Sequence, residues 1–130
     1  MRPTLVDTSC WVDFFRGEAA ARERVDPLLE AGTAATTGPV FAEVVSGART
    51  QALFDSLAVL LRSLSWLEPG PNAWNRVAEL RFLLARQGVQ AHLVDLLIAV
   101  TAAEHGHRLL TRERDFTRIT RVLAVDVTCF

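Results

Sequence analysis

The sequence contains no lysine; all fourteen of its basic Lys/Arg positions are arginines. This absence excludes any catalytic mechanism that needs a lysine side chain. Arginine binds phosphate and carboxylate groups through its planar guanidinium, which would suit a polyanionic partner. The compositional bias of a GC-rich genome explains the same residue usage more simply.

Cysteine is scarce and long apolar runs are absent. Cys10 and Cys129 lie near opposite ends of the chain, outside any spacing typical of zinc ligands, and we expect free thiols in a reducing compartment. The first residues lack the apolar core of a secretory signal. The most apolar stretch, Leu93 to Ala103, is too short to span a bilayer and contains Asp95. The sequence therefore predicts a cytoplasmic protein that does not associate with membranes.

What is present is typical of a folded, globular chain. Half of the residues are apolar and 22% are charged. A length of 130 residues predicts one domain, residues 1–130, with a core of ordinary size. The formal net charge of −1 argues against a protein that coats nucleic acid through a generally basic surface, but it leaves room for a local basic patch.

Short apolar stretches alternate with helical patterns along the chain. Gly17, Gly32, Gly88 and Gly106 follow helical patterns and predict where helices end, and Thr8 or Ser9 is expected to cap the first helix. The alternation predicts an α/β fold with three layers (α/β/α) and a short, mainly parallel central sheet. The predicted strands cover 4–6, 33–37, 66–67, 108–111 and 122–127, and the predicted helices cover 8–15, 19–31, 40–46, 50–63, 72–87 and 94–105.

Several carboxylates stand where solvent-facing charges are not expected. Asp7 follows the first apolar strand, while Glu43 and Asp95 are each surrounded by apolar residues and are expected in the first turns of helices. Glu113 and Asp115 follow the strand predicted at 108–111. Taken singly, each has an ordinary explanation: a cap, a helix-dipole acid, a solvent-facing residue or a partner for arginine.

Taken together, these carboxylates favour a site. In a parallel sheet, groups that follow the strands meet beyond the carboxyl ends. Clustered carboxylates that lack cationic partners are costly to bury, and oxygen ligands suit Mg²⁺ or Mn²⁺. The sequence therefore indicates a divalent cation site built from acids that are far apart along the chain.

The same region of the chain is rich in arginine, with five arginines between positions 108 and 121. An acidic centre within a basic rim fits a phosphodiester substrate, whose backbone would contact the guanidiniums. Arg112, Arg114 and Arg118 are the candidate phosphate contacts. A solvated helix face with internal ion pairs explains these residues equally well.

Three stretches resemble the PIN-domain nucleases, specifically the toxin component (VapC-like) of VapBC-type toxin–antitoxin modules. They are "LVDTSCWVDFF", "PVFAEVVSGA" and "DLLIAVTAAEHGHRLLTRERDF", and they occur in the order of that family. The resemblance implies a metal-dependent endoribonuclease. By position, its acids would be Asp7, Glu43, Asp95 and, in "TRERDF", Glu113 or Asp115.

The resemblance also implies roles for neighbouring residues and partners. Thr8, Ser9 and Thr111 match small hydroxyl positions that support the acids. Hydrolysis by a metal-activated water, with Mg²⁺ or Mn²⁺ held by the acids, would leave a 5′-phosphate and a 3′-hydroxyl. His92, His105 and His107 are expected to be peripheral. The implied partners are an RNA substrate, a cognate VapB-like antitoxin and a second copy of the chain in a homodimer.

Other classes share parts of this pattern. A phosphoacceptor receiver domain also has a parallel sheet with acids near the first strand, but its mechanism needs a lysine that this chain lacks. A haloacid-dehalogenase-like phosphatase needs that lysine and also a DxD motif, where this chain reads Asp7-Thr8-Ser9. A catalytically inactive PIN-like interaction module remains as the alternative, although the full set of acids argues against it.

Overall fold

The computed structural model describes residues 2–130 and places five strands in one sheet. The strands are β1 (Thr4–Val6), β2 (Ala34–Thr37), β3 (Ser65–Leu67), β4 (Arg108–Thr111) and β5 (Val127–Cys129). Their order in the sheet is β3-β2-β1-β4-β5, and each neighbouring pair is parallel. The predicted parallel sheet is thus confirmed.

Helices cover both faces of this sheet and complete a three-layer α/β/α fold. The helices are α1 (Thr8–Phe15), α2 (Ala19–Ala31), α3 (Gly38–Ser46), α4 (Gln51–Arg62), α5 (Ala73–Arg86), α6 (Leu93–Glu104) and α7 (Asp115–Ile119). Helices α1 to α4 pack against one another, as do α5 to α7. Because connections between parallel strands are right-handed, this strand order puts the two groups on opposite faces of the sheet. No helix among residues 2–130 is both long and apolar enough to cross a lipid bilayer.

The core lies between the sheet and its two helical layers. Leu5 in β1 and Leu109 in β4 are fully buried, as expected for central strands covered on both faces. Seven consecutive residues of α6, from Leu96 to Ala102, are also buried. Fully burying a leucine side chain stabilises the fold by about 1.5–3 kcal/mol, so these elements hold the centre of the sheet rigidly.

The end of the chain differs from the sequence prediction. The strand predicted at 122–127 is wrong, because β5 comprises Val127–Cys129 and pairs with β4 through Leu109 and Val127. A short helix that the sequence analysis did not predict, α7, precedes it. Leu123 is buried although it lies in the bend that follows α7 and not in a strand. Its apolar side chain therefore reflects burial and not strand structure.

The cap of the first helix also differs from the prediction. Asp7, rather than Thr8 or Ser9, occupies the N-cap position, with extended backbone (φ −72°, ψ 157°) and a carboxylate that accepts from the Ser9 backbone N–H. Aspartate is as good a cap as serine, and the strand ends early enough for Asp7 to take this role. The first site residue of the chain is therefore also a structural residue.

Candidate active site

The candidate site lies where the order of the strands reverses. The chain runs from β1 outward to β2 and β3, then returns to place β4 on the other side of β1. Ligand sites in open α/β sheets form at such a switch point, beyond the carboxyl ends of the strands. Asp7 follows β1, and its backbone N–H donates to the Leu110 carbonyl of β4 at 2.9 Å. The residues after β1 and β4 are therefore close neighbours.

Asp7 is buried and held by three donors. Its Oδ2 accepts from Ser9 Oγ at 2.8 Å, from Thr111 Oγ1 at 3.0 Å and from the Ser9 backbone N–H at 3.4 Å. Only 3% of Asp7 is exposed. These contacts fix the orientation of the carboxylate before any ligand arrives.

The same two hydroxyls tether the loop that follows β4. Ser9 Oγ accepts from the Arg112 backbone N–H at 3.1 Å, and Thr111 Oγ1 accepts from the Glu113 backbone N–H at 2.9 Å. Each hydroxyl thus donates to Asp7 and accepts from the loop. The loop that carries Glu113 is positioned by the same network that positions Asp7.

Four further acids line an open pocket beside this network. Thr8 Oγ1 donates to Glu43 Oε1 at 3.3 Å, which links α1 to α3. Asp95 lies in the first turn of α6, as predicted, whereas Glu43 lies in the second turn of α3 because that helix already begins at Gly38. An open pocket of about 630 Å³ exposes part of this cluster; its lining residues are Pro39, Ala42, Glu43, His92, Val94, Asp95, Glu113 and Asp115.

Burial and repulsion between the acids both raise the pKa of Asp95. Partial burial, followed by the negative charges of Glu113 and Asp7, raises the pKa of Asp95 to about 6; His92 opposes the rise and Glu43 adds to it. Burial and the carboxylates of Asp7, Asp115 and Glu43 likewise raise the pKa of Glu113. The acids predicted from sequence therefore act on one another through a shared space.

Glu113 and Asp115 have different surroundings. Glu113 contributes more than any other charged group to the raised pKa of Asp95. Asp115 begins α7, its side chain is 63% exposed, and its Oδ1 lies 3.9 Å from Arg118 Nη1. Both line the pocket, but Glu113 faces the other acids more directly.

His92 belongs to this site, so the prediction that it is peripheral is wrong. It lines the pocket and lies close enough to Asp95 to lower its pKa. Its position at the N-cap of α6, three residues before Asp95, is the sequence signal that could have placed it there. His105 and His107 contact each other instead, and His105 Nε2 lies 2.9 Å from the Glu68 carbonyl oxygen.

The three candidate phosphate contacts lie in different places. Arg112 turns toward α1, where its Nε lies 2.9 Å from Asp13 Oδ2, and its guanidinium also lies over the Phe130 ring. Arg114 is exposed just before α7. Arg118 lines a narrow cleft next to Asp95 and Asp115.

The donor set suits a divalent cation by its chemistry. The clustered donors are carboxylate oxygens, which hard cations such as Mg²⁺ prefer, and a positive ion would relieve the repulsion that raises the pKa of Asp95. Among residues 2–130, no three histidine, cysteine, aspartate or glutamate side chains are already arranged to hold a metal ion. The acids share a pocket without forming a finished coordination sphere.

Comparison with known proteins identifies the family. The family model of the PIN domain matches residues 4–122. This chain belongs to the PIN-domain family. The receiver and phosphatase alternatives are therefore set aside.

Two relatives of this PIN domain come from Mycobacterium tuberculosis strain H37Rv. Ribonuclease VapC11 is 34% identical over 132 residues, which cover 97% of this chain and 98% of the relative. Ribonuclease VapC51 is 34% identical over 119 residues, which cover 91% of this chain and 85% of the relative. The resemblance to VapC proteins that the sequence motifs indicated is confirmed.

Solved structures share the same fold. VapBC-1 from nontypeable Haemophilus influenzae matches with a TM-score of 0.77 and 20% identity, over 97% of this PIN domain and 96% of that chain. VapBC2 from Rickettsia felis, solved with a DNA fragment from its promoter, matches with a TM-score of 0.76 and 20% identity, over 98% of both chains. At these identities the comparison establishes the three-layer fold.

Proposed function

We propose that this PIN domain is a Mg²⁺- or Mn²⁺-dependent endoribonuclease that acts as the toxin of a VapBC-type pair. The observation that carries the proposal is the convergence of Asp7, Glu43, Asp95 and Glu113 at the switch point of the sheet, where burial and the neighbouring carboxylates raise the pKa of Asp95 and of Glu113. The ribonuclease names of relatives that align over nearly the whole chain support RNA as the substrate.

Asp7 and Asp95 are the proposed ligands of the cation, with Glu43, Glu113 and Asp115 as further oxygen donors. When bound, such a cation polarises a phosphate oxygen and supplies an activated water for in-line hydrolysis.

The residues of the chain supply position. The Ser9 and Thr111 hydroxyls hold the Asp7 carboxylate in one orientation, and Glu43 and Glu113, both exposed, would hold a second cation or orient the attacking water. Water would attack the phosphorus from the side opposite the leaving 3′-oxygen, so the products would carry a 5′-phosphate and a 3′-hydroxyl. Histidine is not needed as a general base in this scheme.

The test is an RNA cleavage assay with Mn²⁺ or Mg²⁺ and with EDTA as the control. Asp7→Asn and Asp95→Asn should each lower the rate by more than about 100-fold, the upper end of the loss expected for a residue that only supports a metal ligand. Asp26→Asn, an exposed acid of α2 outside the pocket, is the matched control. Circular dichroism checks that each variant is folded.

The outcomes separate the alternatives. Full cleavage by both folded asparagine variants would reject the assignment of the acids, and undiminished cleavage in EDTA would reject the metal dependence. A folded wild-type chain that cleaves no RNA under any of these conditions would favour the inactive interaction module instead.

The proposed partners are a VapB-like antitoxin and a second copy of the chain. The matching solved structures are VapBC toxin–antitoxin systems, and α4 exposes Leu53, Phe54 and Val59, an apolar surface for a partner segment. Phe15 is 40% exposed and is a further candidate contact, whereas Trp11 is fully buried and belongs to the core. Co-expression with the product of the neighbouring upstream reading frame should yield a complex that does not cleave RNA. Light scattering of each species would give its stoichiometry.

A further inference from the structure

The acidic pocket is too small to hold an RNA strand by itself. Its volume of about 630 Å³ lies within the range of about 300–1,000 Å³ typical of pockets for small molecules. A bound strand must therefore leave the pocket across the neighbouring surface. The direction of that exit decides which residues contact the phosphates next to the scissile one.

His92 lines a continuous series of depressions on one side of the pocket. Besides the acidic pocket, it lines a narrow cleft with Asp95, Asp115 and Arg118 and a further depression of about 480 Å³. The lining residues of this last depression are Arg81, Ala85, Val89, Gln90, Ala91 and His92. The three depressions connect the carboxylates to the end of α5.

Two arginines lie along this series. Arg118 is 56% exposed, and its contact with Asp115 at 3.9 Å is a weak surface ion pair, so a phosphate can replace the carboxylate at little cost. Arg81 is exposed on α5 and lines the far depression. Arg112, by contrast, is engaged by Asp13 and Glu18. Arg118 and Arg81 therefore supply accessible positive charge on the side of the pocket toward α5 and α7.

The connection between α5 and α6 supplies groups that can contact bases. Gln90 and His92 are exposed on this segment and line the far depression. Single-stranded RNA is read by hydrogen bonds to its base edges and by stacking on rings such as imidazole. The same segment can thus contact bases while the two arginines bind the backbone.

We propose that single-stranded RNA leaves the acidic pocket past His92 and lies across Arg118 and Arg81, which bind the phosphates on one side of the scissile bond. This path rests on the ribonuclease function proposed above. An acidic protein segment is the alternative occupant of this surface. In that case Arg81→Gln and Arg118→Gln would leave the salt dependence of RNA binding unchanged.

RNA binding can be measured without cleavage. Fluorescence anisotropy would follow a short, labelled single-stranded RNA binding to the full-length Asp7→Asn chain in EDTA over a series of sodium chloride concentrations. The wild-type chain in EDTA is a second background. Each phosphate contact contributes about 0.7 to the slope of log K against log salt for single strands, so Arg81→Gln and Arg118→Gln should each reduce the slope by about that amount.

Arg86→Gln is the matched control, because Arg86 also lies on α5 but stacks over Phe82, with the guanidinium carbon 4.3 Å from the ring centroid. Its slope should equal that of the parent chain.

The outcomes test the path. An equal reduction of the slope in Arg86→Gln would mean that only general charge matters. Unchanged slopes in Arg81→Gln and Arg118→Gln would mean that the strand leaves the pocket elsewhere. In either case the path is wrong, while metal-dependent cleavage by the wild-type chain would keep the proposed function. A wild-type chain that neither binds nor cleaves RNA would overturn both.

Discussion

Arg112 Nε lies 2.9 Å from Asp13 Oδ2, so the loop after β4 is joined to α1 by an ion pair. Both side chains are partly buried, at 34% and 17% exposure, and Glu18 lies 3.8 Å from the same guanidinium. The Arg112 backbone N–H also donates to Ser9 Oγ. Arg112 thus holds the loop that carries Glu113 against α1, the helix that Asp7 caps.

Removing this guanidinium should affect both stability and cleavage. We expect Arg112→Gln to lose about 1 kcal/mol of unfolding free energy, the size of a favourable partly exposed ion pair, and to cleave RNA more slowly because Glu113 is held less firmly. Denaturant unfolding and cleavage rates measure the two effects. Arg24→Gln is the control, since Arg24 lies over the same Phe130 ring but outside the loop. If the ion pair is responsible, the reversed pair Asp13→Arg with Arg112→Asp should recover part of the loss.

Thr111→Val should disconnect two acids at once. The hydroxyl is fully buried, donates to Asp7 and accepts from the Glu113 backbone N–H. Each buried polar group left without a hydrogen bond lowers the unfolding free energy by about 1–3 kcal/mol. The loss of a residue that orients a metal ligand lowers activity about 10–100-fold. Thr101→Val is matched in burial, but its hydroxyl bonds only to Leu97 O within α6. Equal loss of cleavage in both variants would contradict a specific role for Thr111.

Glu113 should matter more than Asp115. Because Glu113 acts on Asp95 more strongly than any other charged group, whereas Asp115 is exposed and pairs with Arg118, Glu113→Gln should weaken Mn²⁺ binding and cleavage by about tenfold or more. Asp115→Asn should have the smaller effect. Calorimetric titration with Mn²⁺ gives the affinity independently of activity, and the reverse order of the two variants would disprove the assignment.

Asp95 should make the metal-free protein less stable as the pH rises. Its carboxyl keeps a proton up to about pH 6 in the folded chain but only to about 3.8 when unfolded. Between these values the folded state binds more protons, so the unfolding free energy falls with increasing pH and the penalty is complete above pH 6. Asp95→Asn should therefore be more stable than wild type at pH 7.5 in EDTA, and the difference should shrink toward pH 4.

Denaturant unfolding at several pH values checks this prediction. Asp26→Asn, the exposed control on α2, should follow the wild-type curve at every pH. A constant deficit of Asp95→Asn across the whole range would show that the carboxylate contributes packing rather than repulsion.

Local patterns were sufficient to predict most of the secondary structure and to name the candidate acids. A few neighbouring residues are enough to predict the apolar strands that end before Asp7 and Gly38, and the helices that end at glycines. These features depend only on backbone geometry and on side-chain periodicity. The strand predicted at 122–127 was wrong for the same reason: periodicity cannot tell a buried turn residue such as Leu123 from a strand residue. Which of Glu113 and Asp115 faces Asp95 was equally beyond local reasoning.

An α/β chain with carboxylates just after buried strands and within apolar helices can be predicted from the sequence alone, because both features follow from the local pattern of side chains that can be buried. The pairing of β1 with β4, and with it the bond between Thr111 and Asp7, depends on the tertiary structure. The tertiary structure also turned Arg112 toward Asp13 and placed His92 in the pocket. These contacts join residues far apart along the chain, and their distances depend on strand order and helix packing, which no local pattern records.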